Sequence, residues 1–302
     1  MGFIGKSLTR KLLGKGYIIY AIDNFSTSSK ESLIEFIKHD NFYFIEKEIE
    51  EAFKRCNFVV NLGASVGVKY IEDSPVDSVL NNVNSMMKMF EYCTKYNKPI
   101  LQASTSEVYG NSNDTPFDEN QDLQIGPSHQ HRWSYATTKL LTEQLFLMGT
   151  FPATIVRFFN IVGPEQVSDY GMVMPSFVEK ALKDEDIIIY GDGSQTRCFC
   201  DITSCVEMLY RLIKNTSLWN EVYNIGNPDN EITIKNLAEL IIKKTNSNSK
   251  IIFKPYNKEF SKNSCDIIKR IPNIDKITKA INYKPDRTID SILRPIIYAK
   301  FK

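Results

Sequence analysis

The sequence predicts an α/β protein: a doubly wound parallel sheet followed by a smaller α/β lobe. Three observations carry this. Short β-rich runs alternate with amphipathic stretches from the start to about residue 160, the pattern of a parallel sheet covered by helices on both faces. After Gly163-Pro164 the texture changes to longer loops with short strands and helices. A chain of 302 residues, 42% apolar and 24% charged, has the size and composition to bury a sizeable core.

In chain order, strands are predicted at Tyr17–Ile22, Phe42–Ile45, Phe58–Leu62, Pro99–Ala103 and Ala153–Phe158. Between them lie helical patterns at Lys6–Leu13, Ser29–Lys38, Pro75–Tyr96 and Ser134–Met148. Beyond Pro164 the predicted elements are Met174–Leu182, Ile187–Tyr190, Ile202–Ile213, Val222–Ile225 and Ile232–Lys244. The expected division is residues 1–165 for the sheet domain, with returning segments near 196–226. Residues 166–195 and 227–302 form the second lobe. In open α/β sheets a ligand sits at the carboxyl ends of the strands, where such a lobe closes over it.

The charge balance, 37 Lys and Arg against 36 Asp and Glu, offers no field for nucleic acid or an anionic membrane, so a small partner is expected. Apolar runs such as Phe58–Val60 are too short to span a bilayer. Six scattered cysteines and no apolar leader argue against a disulfide framework and for the cytoplasm. Cys198, Cys200 and Cys205 have the wrong spacing for zinc, and His129 and His131 lack a third ligand, so no metal is expected.

At the amino end, Gly2-Phe3-Ile4-Gly5 opens a helical pattern, and Asp23 closes the following strand 18 residues after Gly5. Glycines let the backbone approach a pyrophosphate, the helix start offers unpaired N–H groups, and the acid accepts from a ribose hydroxyl. The strand and first glycine that would complete this turn do not precede Gly2, and a loose amino terminus is the competing reading. Asp23, in place of a base, favours NAD over NADP.

In the middle of the chain, Tyr135 and Lys139 are four apart on one predicted helix and project from the same face. A phenol is a poor base until a nearby ammonium, joined by an oxidised nicotinamide, lowers its pKa. Thr105-Ser106-Glu107 follows a buried strand and so lies at a carboxyl edge of the sheet, where hydroxyls and a carboxylate meet that helix. A polar turn is the alternative. Further on, Tyr190-Gly191-Asp192-Gly193 leads into an extended stretch in which Arg197, Phe199 and Asp201 share one face; its guanidinium suits a diphosphate or a carboxylate. A plain salt bridge competes with that role.

Taken together these motifs resemble the extended short-chain dehydrogenase/reductase family of NAD-dependent nucleotide-sugar epimerases, dehydratases and decarboxylases. The likeness spans nearly the whole chain in the family's order: Gly2 to Gly5, Asp23-Asn24-Phe25-Ser26-Thr27, Asn61-Leu62-Gly63-Ala64, Asn82-Val83, Ser104 to Gly110, Tyr135 and Lys139, Arg157-Phe158-Phe159-Asn160, Gly163-Pro164, Gly191 to Arg197 and Tyr223-Asn224-Ile225-Gly226. It implies a Rossmann domain in which Gly2, Phe3, Ile4, Gly5, Asp23, Asn24, Leu62, Ala64, Tyr135 and Lys139 bind NAD. By the same resemblance Thr105, Tyr135 and Lys139 are the catalytic trio, with Ser106, Glu107 and Arg197 beside them. Asn160, Tyr190 and Arg197 hold a nucleotide sugar, most simply a UDP-sugar. The implied assembly is a homodimer built on Pro75–Tyr96 and Ser134–Met148.

The shared chemistry is oxidation at C4 to a transient 4-keto sugar. Thr105-Ser106-Glu107 resembles both the UDP-glucuronate decarboxylases and the GDP-mannose 4,6-dehydratases, and the runs Arg132-Trp133 before Tyr135 and Arg197-Cys198-Phe199 before Asp201 resemble those of some bacterial UDP-glucuronate decarboxylases, which makes decarboxylation the leading expectation. A UDP-sugar 4-epimerase comes next and an NDP-sugar 4,6-dehydratase third. The alternative of another class is a truncated, non-catalytic nucleotide-sugar-binding protein.

Overall fold

The computed structural model describes residues 1–26, 28–46, 48–64, 74–168, 172–255 and 267–301. Its centre is a four-stranded parallel sheet of β3 (Val59–Asn61), β4 (Ile100–Thr105), β5 (Ala153–Phe158) and β10 (Val222–Ile225), in the order β10-β5-β4-β3. Ile100 pairs with Ala153, Thr105 with Phe158, and Ile225 with that same Phe158 from the other side, so the strands end on one edge.

Neighbouring residues on these strands serve opposite faces, as the pleat dictates. Ile100 and Ile155 pack with Met86, Cys93 and Phe146, under α3 (Pro75–Tyr96) and α4 (Arg132–Leu147). Leu101 and Val156 pack with Leu8, Leu12, Leu209 and Ile277, under α1 (Phe3–Leu13), α6 (Ile202–Lys214) and α8 (Asp275–Ile281). Double winding follows from that alternation. Residues 275–281, which the sequence division assigns to the second lobe, thus pack in the sheet domain's own core.

Two differences from the sequence expectation stand out. First, β1 (Ile19–Ala21) and β2 (Phe42–Phe44) pair in parallel as a separate two-stranded sheet, with no hydrogen-bonded strand joining them to β3 among the described residues. Second, Ser29–Lys38 forms a single 3-10 turn at Lys30–Leu33, because only Leu33 and Phe36 find a core while Ile34 and Ile37 face solvent. The seven-residue α2 (Ile49–Arg55) was too short to be read from periodicity.

A second core surrounds β7 (Ile187–Tyr190), where Ile187 and Ile189 meet Phe177 of α5 (Val173–Leu182), Leu237 of α7 (Ile234–Thr245) and Ile292 of α9 (Ile289–Phe301). The stretch from Thr196 to Asp201 is not one strand. It divides into β8 (Thr196–Cys198), antiparallel to β11 (Glu231–Thr233), and β9 (Cys200–Asp201), parallel to β6 (Ile161–Val162). The chain changes sheets at Phe199, which enters the second core, while Asp201 caps α6 through Thr203. Among the described residues no helix is long and apolar enough to cross a membrane.

Candidate active site

Strand β4 ends at Thr105, and the chain then tightens into a 3-10 turn, Ser106–Tyr109. Thr105 Oγ1 accepts from the Glu107 amide at 3.3 Å, so the hydroxyl is fixed by the turn it begins. Ser106 is buried and Glu107 half-buried. Helix α4 packs against both β4 and this turn, which brings Tyr135 and Lys139 to the same edge. Lys139 is buried; its Nζ donates to the Ala103 carbonyl at 3.0 Å and lies 5.9 Å from the centroid of the Tyr135 ring.

In the protein alone, the electrostatics of this pair are set first by burial. Burial pulls the Lys139 pKa down to about 8, with the Glu143 carboxylate opposing the fall. The Tyr135 phenol is pushed up, not down, first by burial and then by the negative charge of Glu107. An ammonium already held by Ala103 does not offset those two effects in the protein alone.

A residue that sequence reading missed completes the group. Arg270 Nη1 lies 3.3 Å from Glu107 Oε1, and the two side chains are only 11% and 16% exposed. Arg270 thus sets a cation against Glu107, from a segment remote in sequence that carries no glycine-rich or periodic signal. Arg197 is also buried, and its Nη1 donates to the carbonyls of Thr196 and Ile267 at 2.8 and 2.9 Å. Asn160, held in the left-handed region at φ 39°, donates from Nδ2 to the Cys198 carbonyl at 3.2 Å, placing it beside the Arg197 strand. Tyr190, half-buried at the end of β7, accepts from Gln195 Nε2 at 3.1 Å through its carbonyl.

Behind this sheet edge runs a buried polar chain. Glu143, one turn beyond Lys139, accepts from Ser104 Oγ and from Arg157 Nε and Nη2, the latter at 2.7 Å. The Arg157 guanidinium sits 4.9 Å over the Tyr109 ring, and the Tyr109 hydroxyl donates to Asn224 Oδ1 at 2.8 Å.

The amino-terminal residues gather on the same side of the fold. Helix α1 starts at Gly2 with no side-chain cap and no acid in its first turn, and a Cβ on Gly2 would meet nothing within 4 Å. A Cβ on Gly5 would lie 3.9 Å from Leu62 Cδ1, just past β3, and Phe3 and Ile4 pack on the first core with Leu62. Asp23, beyond the end of β1, has Oδ2 2.9 Å from the Met1 amino group and accepts through Oδ1 from the Phe25 amide and Ser28 Oγ. Asn24 Oδ1 accepts from the Ser26 amide in that loop, and Ala64 is half-buried beyond Gly63. An uncapped helix start facing open space, with a carboxylate at the neighbouring strand end, fits the pyrophosphate and a ribose of NAD.

A profile of the NAD dependent epimerase/dehydratase family matches residues 1–226. A UDP-N-acetyl-alpha-D-glucosaminuronate decarboxylase from Bacillus cytotoxicus is 32% identical over 304 residues, covering 98% of this chain and 94% of that protein. The bifunctional polymyxin resistance protein ArnA of Wigglesworthia glossinidia brevipalpis is also 32% identical over 98% of this chain, which spans 49% of ArnA. The fold matches, with a TM-score of 0.87, the UDP-glucuronic acid 4-epimerase of Bacillus cereus in complex with UDP-glucuronic acid and NAD, at 23% identity over 99% of this chain and 96% of that one. With the profile covering residues 1–226 and the Bacillus cytotoxicus relative similar over nearly the whole chain, the chain belongs to the NAD-dependent epimerase/dehydratase family, enzymes of nucleotide-sugar metabolism.

Proposed function

We propose that this enzyme decarboxylates a UDP-linked hexuronic acid of the glucuronate type through a transient 4-keto sugar. The observation that carries the reading is the Glu107–Arg270 pair, enclosed at the same sheet edge as Thr105, Tyr135 and Lys139. The name of the Bacillus cytotoxicus relative, similar over almost the whole chain, supports the same class of substrate.

NAD, when bound, supplies a reversible hydride acceptor for C4 of the sugar and a positive ring beside Tyr135. The protein's residues do the rest. Tyr135 takes the C4 hydroxyl proton, aided by the Lys139 ammonium, while Thr105 Oγ1 hydrogen-bonds the same oxygen. With C4 a ketone, the C6 carboxylate belongs to a β-keto acid. The C5–C6 bond breaks, its electron pair moves into the C4–C5 enolate, and carbon dioxide leaves. Arg270 orients the departing carboxylate and then stabilises the enolate charge, where a fixed cation in an enclosed site acts strongly. Glu107 relays a solvent proton to C5, and Tyr135 gives its proton back to the C4 oxygen when the hydride taken from C4 is returned to it.

Asn160, Tyr190 and Arg197 hold the nucleotide diphosphate in this reading, and the catalytic duty of Ser106 is to shape the turn that aims Glu107. The enzyme works as a homodimer in the cytoplasm. Exposed Val76, Leu80 and Met87 along α3, and Leu141, Leu147 and Met148 at α4, support the assembly. Free Cys56, Cys93, Cys198, Cys200 and Cys205 suit a reducing compartment.

The test is incubation with NAD and, separately, UDP-glucuronate, UDP-N-acetylglucosaminuronate and UDP-glucose, followed by mass spectrometry. Loss of carbon dioxide from a uronic acid supports the proposal. An isomer of the substrate, loss of water, or no turnover by NAD-loaded protein overturns it.

A further inference from the structure

We propose that Asn224 is a positioning residue: its buried amide ties the turn that carries Glu107 to the segment that carries Arg270, and so sets the geometry of that pair. The inference rests on the decarboxylase reading above.

Asn224 lies in β10 and is fully buried. An apolar residue would satisfy that core position, yet every polar atom of this amide is engaged. Oδ1 accepts from the Tyr109 hydroxyl at 2.8 Å, while Nδ2 donates to the Phe117 carbonyl at 2.9 Å and the Asn273 carbonyl at 3.1 Å. Tyr109 closes the 3-10 turn two residues after Glu107, and Asn273 follows Arg270 by three. One side chain thus touches both arms.

The intervening strut is equally fixed. The Phe117 amide donates to the Ile271 carbonyl at 2.7 Å, and the Phe117 carbonyl accepts from the Asn273 amide at 2.8 Å. Glu119 Oε1 accepts from the Asn224 amide at 2.8 Å. Gly226, two residues on, lets the arm come close: a Cβ there would lie 2.9 Å from Pro272 Cγ and 2.9 Å from Phe159 Cβ. The Arg270 segment is therefore pressed onto the end of β10 and aligned there by the Asn224 amide. Fully satisfied buried networks of this kind specify one arrangement, and half-satisfied ones do not.

Since a displacement of about 1 Å at a reacting centre costs about 100-fold, loosening this tie should uncouple the two halves of the reaction. Two variants test it, Asn224→Ala and the milder Tyr109→Phe, which deletes one hydroxyl and keeps the ring. With a UDP-hexuronic acid and NAD, the rate of C4 oxidation, followed as reduced cofactor, should stay within about 3-fold of wild type. Carbon dioxide released per sugar oxidised should fall by about 10- to 100-fold, with 4-keto hexuronic acid accumulating. A fall of both rates together marks a merely structural role and overturns the proposal, as does an unchanged ratio in Tyr109→Phe.

A second readout needs no turnover. Glu107→Gln should lower the thermal midpoint of the otherwise wild-type protein and have a clearly smaller effect in the Tyr109→Phe background, because the pair is no longer held. An equal effect in both backgrounds overturns the positioning role. Wild-type protein that oxidises a UDP-sugar without releasing carbon dioxide refutes the decarboxylase reading instead, and the midpoint experiment then decides the role of Asn224 alone.

Discussion

Replacing Arg157 with Met removes the cation from a buried ion pair behind the sheet edge that carries Thr105. The Arg157 and Glu143 side chains are 5% and 3% exposed and meet through Nη2–Oε2 at 2.7 Å and Nε–Oε1 at 3.0 Å. In Arg157→Met the Glu143 carboxylate keeps only Ser104 Oγ among these partners, buried and without its counter-charge. Leaving one member of a buried pair alone costs about 3–5 kcal/mol. Unfolding entropy of about 2.1 cal/mol/K per residue amounts to roughly 0.6 kcal/mol/K for a chain of this length, so the thermal midpoint should fall by about 5–8 °C. The double variant Glu143→Leu/Arg157→Met removes both charges and should recover most of that loss. Differential scanning calorimetry at neutral pH measures all three proteins. A midpoint within about 1 °C of wild type for the single variant, or a double variant no better than the single, would refute the reasoning.

Other outcomes follow from the site. Tyr135→Phe removes the proton acceptor and should reduce turnover by about 100- to 10,000-fold while circular dichroism and the thermal midpoint stay near wild type; retained activity would remove Tyr135 from its role. Because the charge of Glu107 helps to hold the Tyr135 pKa up, Glu107→Gln should bring that pKa down and increase the phenolate present at a given pH below it. The acidic limb of the pH profile for C4 oxidation should then move to lower pH, although carbon dioxide release slows; an unmoved limb or an alkaline shift contradicts the assignment. Arg270→Gln should lower carbon dioxide release by about 100-fold or more while reduced cofactor still forms, read by mass spectrometry beside absorbance; a normal product yield excludes Arg270. Leu80→Asp with Leu141→Asp places charge on the exposed apolar patches of α3 and α4 and should convert a dimer to monomers in analytical ultracentrifugation, and a dimer that persists locates the interface elsewhere.

Local sequence determined a good deal of this protein. Pro75–Tyr96, Ala153–Phe158, Ile187–Tyr190 and Val222–Ile225 were readable to the residue because their apolar spacing and boundary residues act within a few positions: Pro75 starts its helix, and Asn97, in the left-handed region, ends it. The four-residue interval from Tyr135 to Lys139 likewise places both on one helical face whatever surrounds them. Short segments were less legible. The 3-10 turn at Lys30–Leu33 and the break at Phe199 depend on which core receives each side chain, a matter of distant partners.

What the sequence alone determined was therefore the element pattern and the pairing of a phenol with an ammonium. Only the tertiary structure decided what that pair feels. In the protein alone burial and Glu107 hold the Tyr135 pKa up, and Arg270, brought by the docking of Pro272 and Asn273 onto β10, becomes a partner of Glu107. The physical reason is range: periodicity and capping act along the backbone, whereas desolvation and ion pairing are set by whichever residues the fold delivers to the same few ångströms.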